Sequence, residues 1–141
     1  MIRDKIQTEA TSAIIENKFQ GIIDVSPRVG KSKLVIDALK RIDREIPILI
    51  IAPYNNILES WKEEFIKWKY YHPDITLMNQ RSLSKIDVNK FSIIIIDECH
   101  SLSANQIAHL SAHEGRMLGL SGSISSETKT RLEATLELVT I

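Results

Sequence analysis

Six short runs rich in β-branched residues, at 21–25, 48–52, 75–78, 92–96, 117–120 and 136–141, alternate along the chain with amphipathic stretches. Most of these runs are continuously apolar rather than alternating, which is the pattern of parallel strands covered on both faces. Helices are expected over 8–18, 31–44, 56–70, 103–113 and 126–134. In the second, Leu34, Val35, Ala38, Leu39 and Ile42 share one face; in the third, Ile57, Leu58, Trp61, Phe65 and Trp68 do so. Such alternation implies right-handed βαβ crossovers and a doubly wound, mostly parallel sheet between two helical layers, a three-layer α/β domain. At 141 residues, with no repeat, low-complexity tract or evident linker, the chain reads as one domain.

Composition narrows the class further. A content of 43% hydrophobic and 26% charged residues is that of a soluble globular protein. Lys+Arg and Asp+Glu are balanced at 18 each, so contact with nucleic acid has to come from a local surface rather than net charge. The single cysteine, Cys99, excludes an internal disulfide framework and fits a reducing compartment. The charged start Met1-Ile2-Arg3-Asp4-Lys5 has no apolar signal core, and the longest apolar run, 48–52, is far too short to span a bilayer. A cytoplasmic protein without a membrane partner is the expectation.

Between the first apolar run and the second helix stand Ser26, Pro27, Arg28, Val29, Gly30, Lys31 and Ser32. With Val25 ahead of them, they follow the pattern G-x-x-x-x-G-K-[ST], in the strand–loop–helix context that pattern requires. Backbone N–H groups and a helix N-terminus there would face phosphate oxygens, with Gly30 allowing close approach. Lys31 would neutralise β- and γ-phosphate oxygens and the Ser32 hydroxyl would ligate Mg²⁺. Val25 stands in place of the first glycine, and Arg28 where a small residue is common, so the cradle is atypical.

The fourth apolar run ends in Asp97-Glu98-Cys99-His100. Acidic residues at the carboxyl end of a parallel strand lie where open α/β sheets bind ligands. Asp97 is placed to reach magnesium and Glu98 to orient and polarise an attacking water. His100 is suited to couple this turn to a neighbouring segment.

Taken in order, these stretches resemble the first RecA-like domain of a superfamily-two, DEAD/DEAH-like helicase or translocase. Residues 26–32 are similar to motif I, and 93–100 to motif II in its D-E-C-H form. Residues 48–53 with the helix Leu58-Glu59-Ser60-Trp61-Lys62-Glu63-Glu64-Phe65 resemble motif Ia and its QW-x-x-E helix, and 76–83 the next strand-contacting turn. Leu118-Gly119-Leu120-Ser121-Gly122-Ser123 resembles motif III, and Arg3 and Gln7 the upstream segment whose glutamine reads adenine. The resemblance implies ATP and Mg²⁺ as ligands, with Lys31, Asp97 and Glu98 catalytic. Gln7 and residues 26–32 would hold nucleotide, Ser32 and Asp97 the metal, and His100, Ser121 and Ser123 would couple nucleotide state to strand grip. Pro53, Tyr54, Asn55, Gln80, Arg81 and Ser82 become candidate contacts to the backbone of single-stranded nucleic acid, DNA being favoured over RNA.

In that family a second RecA-like domain supplies an arginine to the γ-phosphate, and such an arginine contributes about 10³–10⁵ in rate. The 141 residues are expected to hold one domain, 1–141, without the second, and to turn ATP over very slowly unless that domain is provided in cis or trans. Two alternatives stand beside this: a terminase-like packaging ATPase fragment, and a non-catalytic nucleotide- or nucleic-acid-binding regulatory module. Three other features have plainer readings. His109 and His113, four apart, are expected on a solvated helix face rather than at a metal. Trp61 and Trp68 are expected to pack in the core, and Cys99 to be a small buried residue rather than a nucleophile.

Overall fold

A computed structural model describes residues 2–24, 30–42, 45–122, 125–136 and 138, with side chains from residue 5 onward. Among these residues five α-helices and five strands follow one another, alternating except where β4 succeeds β3: α1 (Ile2–Glu16), β1 (Gly21–Asp24), α2 (Lys31–Leu39), β2 (Ile48–Ala52), α3 (Asn55–Lys67), β3 (Ile75–Asn79), β4 (Ile93–Ile96), α4 (Ala104–Leu110), β5 (Arg116–Ser121) and α5 (Ser126–Leu136). Short 3₁₀ turns at Gln80–Lys85, Val88–Lys90 and Cys99–Ser101 fill the connections around β4. The strands form one sheet in the order β1-β5-β4-β2-β3, and every pairing is parallel.

The side-chain period of two sorts each strand between two cores. Ile48 and Ile50 of β2, Ile93 and Ile95 of β4 and Leu118 and Leu120 of β5 face a layer built on Leu34, Leu39, Trp61 and Ile14. Leu49, Ile51, Ile94, Ile96 and Met117 point the other way, onto Cys99, Ile107, Leu110, Leu132 and Leu136. Helices α1, α2 and α3 therefore cover one face and α4 and α5 the other, which makes the three layers. β2 and β4 are buried at every position because both of their faces are covered, whereas the edge strand β3 keeps Thr76 exposed.

Local chemistry sets several boundaries. α4 begins at a capping box: Ser103 Oγ accepts from Gln106 N at 3.2 Å while Gln106 Oε1 accepts from Ser103 N at 2.8 Å. α2 stops at Leu39 rather than at 44, because Arg41 N and Ile42 N turn to the tighter partners Ala38 O and Leu39 O. Positions 43 and 44 fall outside the described residues. α4 likewise stops at Leu110, short of the expected 113.

The strand expected over 136–141 is corrected at its start, since Leu136 is the last residue of α5 and packs into the second core. Positions 137 and 139–141 fall outside the described residues. The histidines are corrected as well. His113 lies beyond α4, and both rings are half-buried. Their Nε2 atoms sit 3.0 Å from Ile86 O and 2.7 Å from Phe91 O, so they staple the preceding loop instead of facing solvent.

Candidate functional site

The carboxyl ends of the parallel strands meet the start of α2 along one edge of the sheet. Gly30 immediately precedes α2 with φ 74 and ψ 63, a left-handed conformation for which glycine carries no steric cost. Lys31 and Ser32 then open the helix. Asp97 and Glu98 follow β4, and Asp97 N donates to Ile51 O at 2.9 Å, which extends the sheet ladder by one residue. Glu98 next turns to φ 52, ψ 51, a left-handed conformation that costs a non-glycine residue about 1–2 kcal/mol. That strained turn swings the Glu98 side chain back beside Asp97, and strain of this kind concentrates at functional sites.

The Lys31 ammonium stands between the two carboxylates, with Nζ 2.8 Å from Asp97 Oδ1 and in hydrogen-bond contact with Glu98 Oε1. Burial by itself would lower the lysine pKa, but the charge of Asp97 and the bonds to Asp97 and Glu98 together outweigh it. The ammonium is held above its ordinary 10.5. Asp97 is 3% exposed, and its second oxygen, Oδ2, accepts from the indole Nε1 of Trp61 at 2.9 Å.

A cavity of about 280 Å³ opens here, lined by Lys31, Ser32, Asp97 and Glu98 on one side and by Ile57, Ser60, Trp61 and Glu64 of α3 on the other. Glu64 is held in place by Trp68, whose Nε1 donates to Oε2 at 2.6 Å. Around Lys31 and Ser32 the site thus offers the Lys31 ammonium, the Asp97 and Glu98 carboxylates and the Ser32 hydroxyl, with Ser60 and Glu64 facing them from α3. Carboxylate and hydroxyl oxygens are the hard donors that magnesium selects, so the residues present fit that ion.

Behind this site the turn after β4 is tied to β5. His100 Nδ1 lies 2.8 Å from Ser121 Oγ, and His100 Nε2 lies 3.3 Å from Glu98 Oε2. Ser101 Oγ donates to Glu98 O at 2.7 Å. Cys99 is fully buried beneath the turn, and burial pushes its thiol up to about 12, which keeps it protonated and unreactive. It packs as a small apolar residue, as the sequence suggested.

The candidate strand contacts gather at the same edge of the sheet. Pro53, Tyr54 and Asn55 link β2 to α3, and Tyr54 is exposed. Asn79, the last residue of β3, donates through Nδ2 to Pro53 O at 3.3 Å and to Asn55 Oδ1 at 3.0 Å. Its Oδ1 accepts from Arg81 N at 3.0 Å and from Arg81 Nε at 3.3 Å. Arg81 is exposed and Ser82 half-exposed beside it. Gln80 is different. It is buried, its amide donates to Ser101 O and Gln106 Oε1, and it accepts from Ser101, so it braces the turn after β4 rather than offering a surface contact.

Gln7 lies on α1, buried, and is not among the residues lining the cavity. Ser26, Pro27, Arg28, Val29 and Ser123, together with Val25 and the side chain of Arg3, lie outside what the structure describes. Two residues escaped the sequence reading. Trp61 was assigned to the core, where it does lie, but the partner of its indole is the acidic strand end. Asn79 stands just past the strand expected over 75–78 and has no role of its own in the 76–83 turn as read from the sequence. A buried indole N–H requires an acceptor, and that requirement was the available signal for Trp61.

No protein-family model matches the chain. Among curated proteins it is similar to the DNA 3'-5' translocase XPB2 of Sulfurisphaera tokodaii, 29% identical over 121 residues that span 72% of this chain and 27% of that protein. Among solved structures it superposes on the UvsW helicase of bacteriophage T4 with a TM-score of 0.76 at 18% identity, covering 96% of this chain and 57% of that one. The Hef helicase domain of Pyrococcus furiosus gives a TM-score of 0.72 at 11% identity, covering 100% of this chain and 37% of that one. The chain thus spans about a quarter of the curated relative's length and between a third and three-fifths of these structures. In fold, the chain is similar to these helicase structures, a parallel five-stranded sheet between two helical layers.

Proposed function

We propose that this domain binds ATP·Mg²⁺ and serves as the nucleotide-binding half of a nucleic-acid-dependent ATPase, a helicase or translocase. The observation that carries the reading is the Lys31 ammonium held between Asp97 and Glu98 at the head of α2. A lysine can exchange carboxylate oxygens for phosphate oxygens, since both are anionic acceptors of charge-assisted hydrogen bonds, and the helix N-terminus beside it favours the incoming phosphate. When Lys31 moves to phosphate, Asp97 and Glu98 are left as two adjacent carboxylates, whose mutual repulsion favours a divalent cation. Bound magnesium supplies charge neutralisation on the transferring phosphate.

The chain's own residues do the rest. Asp97 and the Ser32 hydroxyl are the oxygen donors for the metal. Glu98, positioned by His100, accepts a proton from the attacking water. Residues 26–30 are assigned to the phosphates, and Gln7 to the base through α1. The exposed pair Tyr54 and Arg81, with Pro53, Asn55 and Ser82, forms the surface for a single-stranded backbone, preferentially DNA. Gln80 supports that surface from behind. A second RecA-like domain, in cis or trans, supplies the arginine that completes the site, and without it turnover is very slow.

The test is nucleotide binding, followed by ATP turnover with and without single-stranded DNA, for the wild type and Lys31→Ala. Lys31-dependent, magnesium-dependent binding with little turnover is the expected result. Binding that ignores Lys31 would overturn the reading and leave a regulatory module of another kind. Robust DNA-stimulated turnover by the 141 residues alone would overturn the need for a second domain.

A further inference from the structure

Helix α3 is the wall of the cavity facing Lys31 and Ser32, and it also begins at Asn55, on the proposed strand-contacting segment. Asp97 is attached to the β2–α3 unit at two points. Its backbone N–H bonds Ile51 O, the residue before the end of β2, and its Oδ2 accepts from Trp61, six residues into α3 after Asn55. Six residues of helix span about 9 Å, so one rigid segment of fewer than two turns joins Asn55 to the carboxylate. Trp61 itself is 1% exposed and packs against Phe65 at 5.9 Å between ring centroids, which fixes the indole plane. The two oxygens of Asp97 are therefore divided. Lys31 takes Oδ1 and Trp61 takes Oδ2.

We infer that Trp61 is a positioning residue, one that fixes the Asp97 carboxylate toward the metal and ties its orientation to the strand-contacting start of α3. This rests on the nucleotide-binding reading above. When Lys31 leaves for phosphate, the indole N–H still holds the carboxylate, the one other side-chain donor to it among the described residues. Oδ1 is then presented to the cavity while Oδ2 stays pinned. Such outer partners of a metal-binding carboxylate set its direction as well as its basicity. A shift of α3 at Asn55 would be felt at Oδ2 without any change in the phosphate loop.

The experiment uses the full chain with a fluorescent N-methylanthraniloyl ATP and MgCl₂. Trp61→Phe keeps the buried ring and removes the N–H. It is expected to raise the magnesium concentration needed for half-maximal nucleotide binding by roughly 10-fold to 100-fold, while binding measured in EDTA stays near the wild-type level. Ile57→Ala, which loosens the same wall without touching Asp97, is expected to weaken binding equally with and without magnesium. Trp68→Phe leaves Trp61 as the sole indole, and its emission is expected to shift on addition of MgCl₂ with nucleotide, and again on addition of oligo-dT. Lys31-dependent binding whose magnesium midpoint is the same in Trp61→Phe would overturn the positioning role and leave the nucleotide-binding reading standing. Absence of Lys31-dependent binding in the wild type would overturn both.

Discussion

The Nδ1 atom of His100 lies 2.8 Å from the Oγ of Ser121, which joins the turn after β4 to the last residue of β5. The same ring reaches Glu98 Oε2 at 3.3 Å on its other side. Strand end, imidazole and acidic side chain thus form a row, and displacement of either end re-aims the other. Ser121 is fully buried, so its hydroxyl has been taken out of water to make this row. Ser121→Ala is expected to cost about 0.5–1.5 kcal/mol in urea denaturation. Combined with His100→Ala in a double-mutant cycle, the two changes should be clearly non-additive. A coupling energy near zero would show that the ring and the hydroxyl do not act together.

Gly119 sits opposite Ile96 in the sheet, and a Cβ there would stand 3.0 Å from Cys99 Sγ and 3.2 Å from Cys99 Cβ. The missing side chain is what lets the Asp97–His100 turn close onto β5. Gly119→Ala is expected to destabilise the fold by about 1–3 kcal/mol, the usual cost of overpacking. Adding Cys99→Ala should recover part of that loss, because the thiol that takes the closest contact is gone. Thermal or urea denaturation of the single and double variants checks it. Failure of the second change to help would place the clash on Cys99 Cβ, which alanine keeps.

The thiol of Cys99 gives a readout of the same packing. Burial first, and the charges of Glu98 and Asp97 after it, raise it from 9.0 to about 12. An acid whose folded pKa is raised contributes stability that is complete below the unfolded value and is lost as pH climbs through the folded one. The native chain should therefore lose stability from about pH 9 upward, toward about 12, and Cys99→Ala should lose less over that window. Lys31 adds to the decline around and above its ordinary 10.5, where the unfolded chain's ammonium loses its proton while the native one, raised by Asp97 and Glu98, still holds it. At neutral pH a disulfide reagent should label Cys99 at the rate of global unfolding. Fast labelling of the native chain would contradict the burial.

Much of this fold was legible because parallel strands in a covered sheet are written as uninterrupted apolar runs. The run at 48–52 coincides with β2, and the runs at 92–96 and 117–120 match β4 and β5 to within a residue at each end. Helix ends were less legible. Residues 41–42 and 112–113 keep a helical sequence character, but their N–H groups bond three residues back and close the chain into turns. Leu136 looked like the start of a strand because apolar character alone does not separate a strand from a buried helix end.

Within the site, residues adjacent in sequence could be placed together, whereas pairs such as Trp61 with Asp97 depend on how α3 lies across the sheet. Gln80 shows the converse. A polar residue in a turn reads as exposed, and it is buried because Ser101 and Gln106 arrive from another loop to satisfy its amide.

Asn79 holds the two halves of the proposed strand-contacting surface together, through Pro53 and Asn55 on one side and Arg81 on the other. Asn79→Ala and Arg81→Ala should therefore weaken binding to single-stranded DNA in different ways. Arg81 carries a charge, and phosphate contacts of single strands contribute about 0.7 each to the slope of log K against log salt, so Arg81→Ala should lower that slope by about this amount. Asn79→Ala removes no charge. It frees Asn55 and Arg81 to wander, and binding should fall on the order of tenfold, about 1.4 kcal/mol, with the slope unchanged. Anisotropy of a labelled oligo-dT titrated at several salt concentrations separates the two. An Asn79→Ala variant that binds as the wild type does would mean that the two segments reach the strand independently, and that the bridge across the ends of β2 and β3 serves the fold alone.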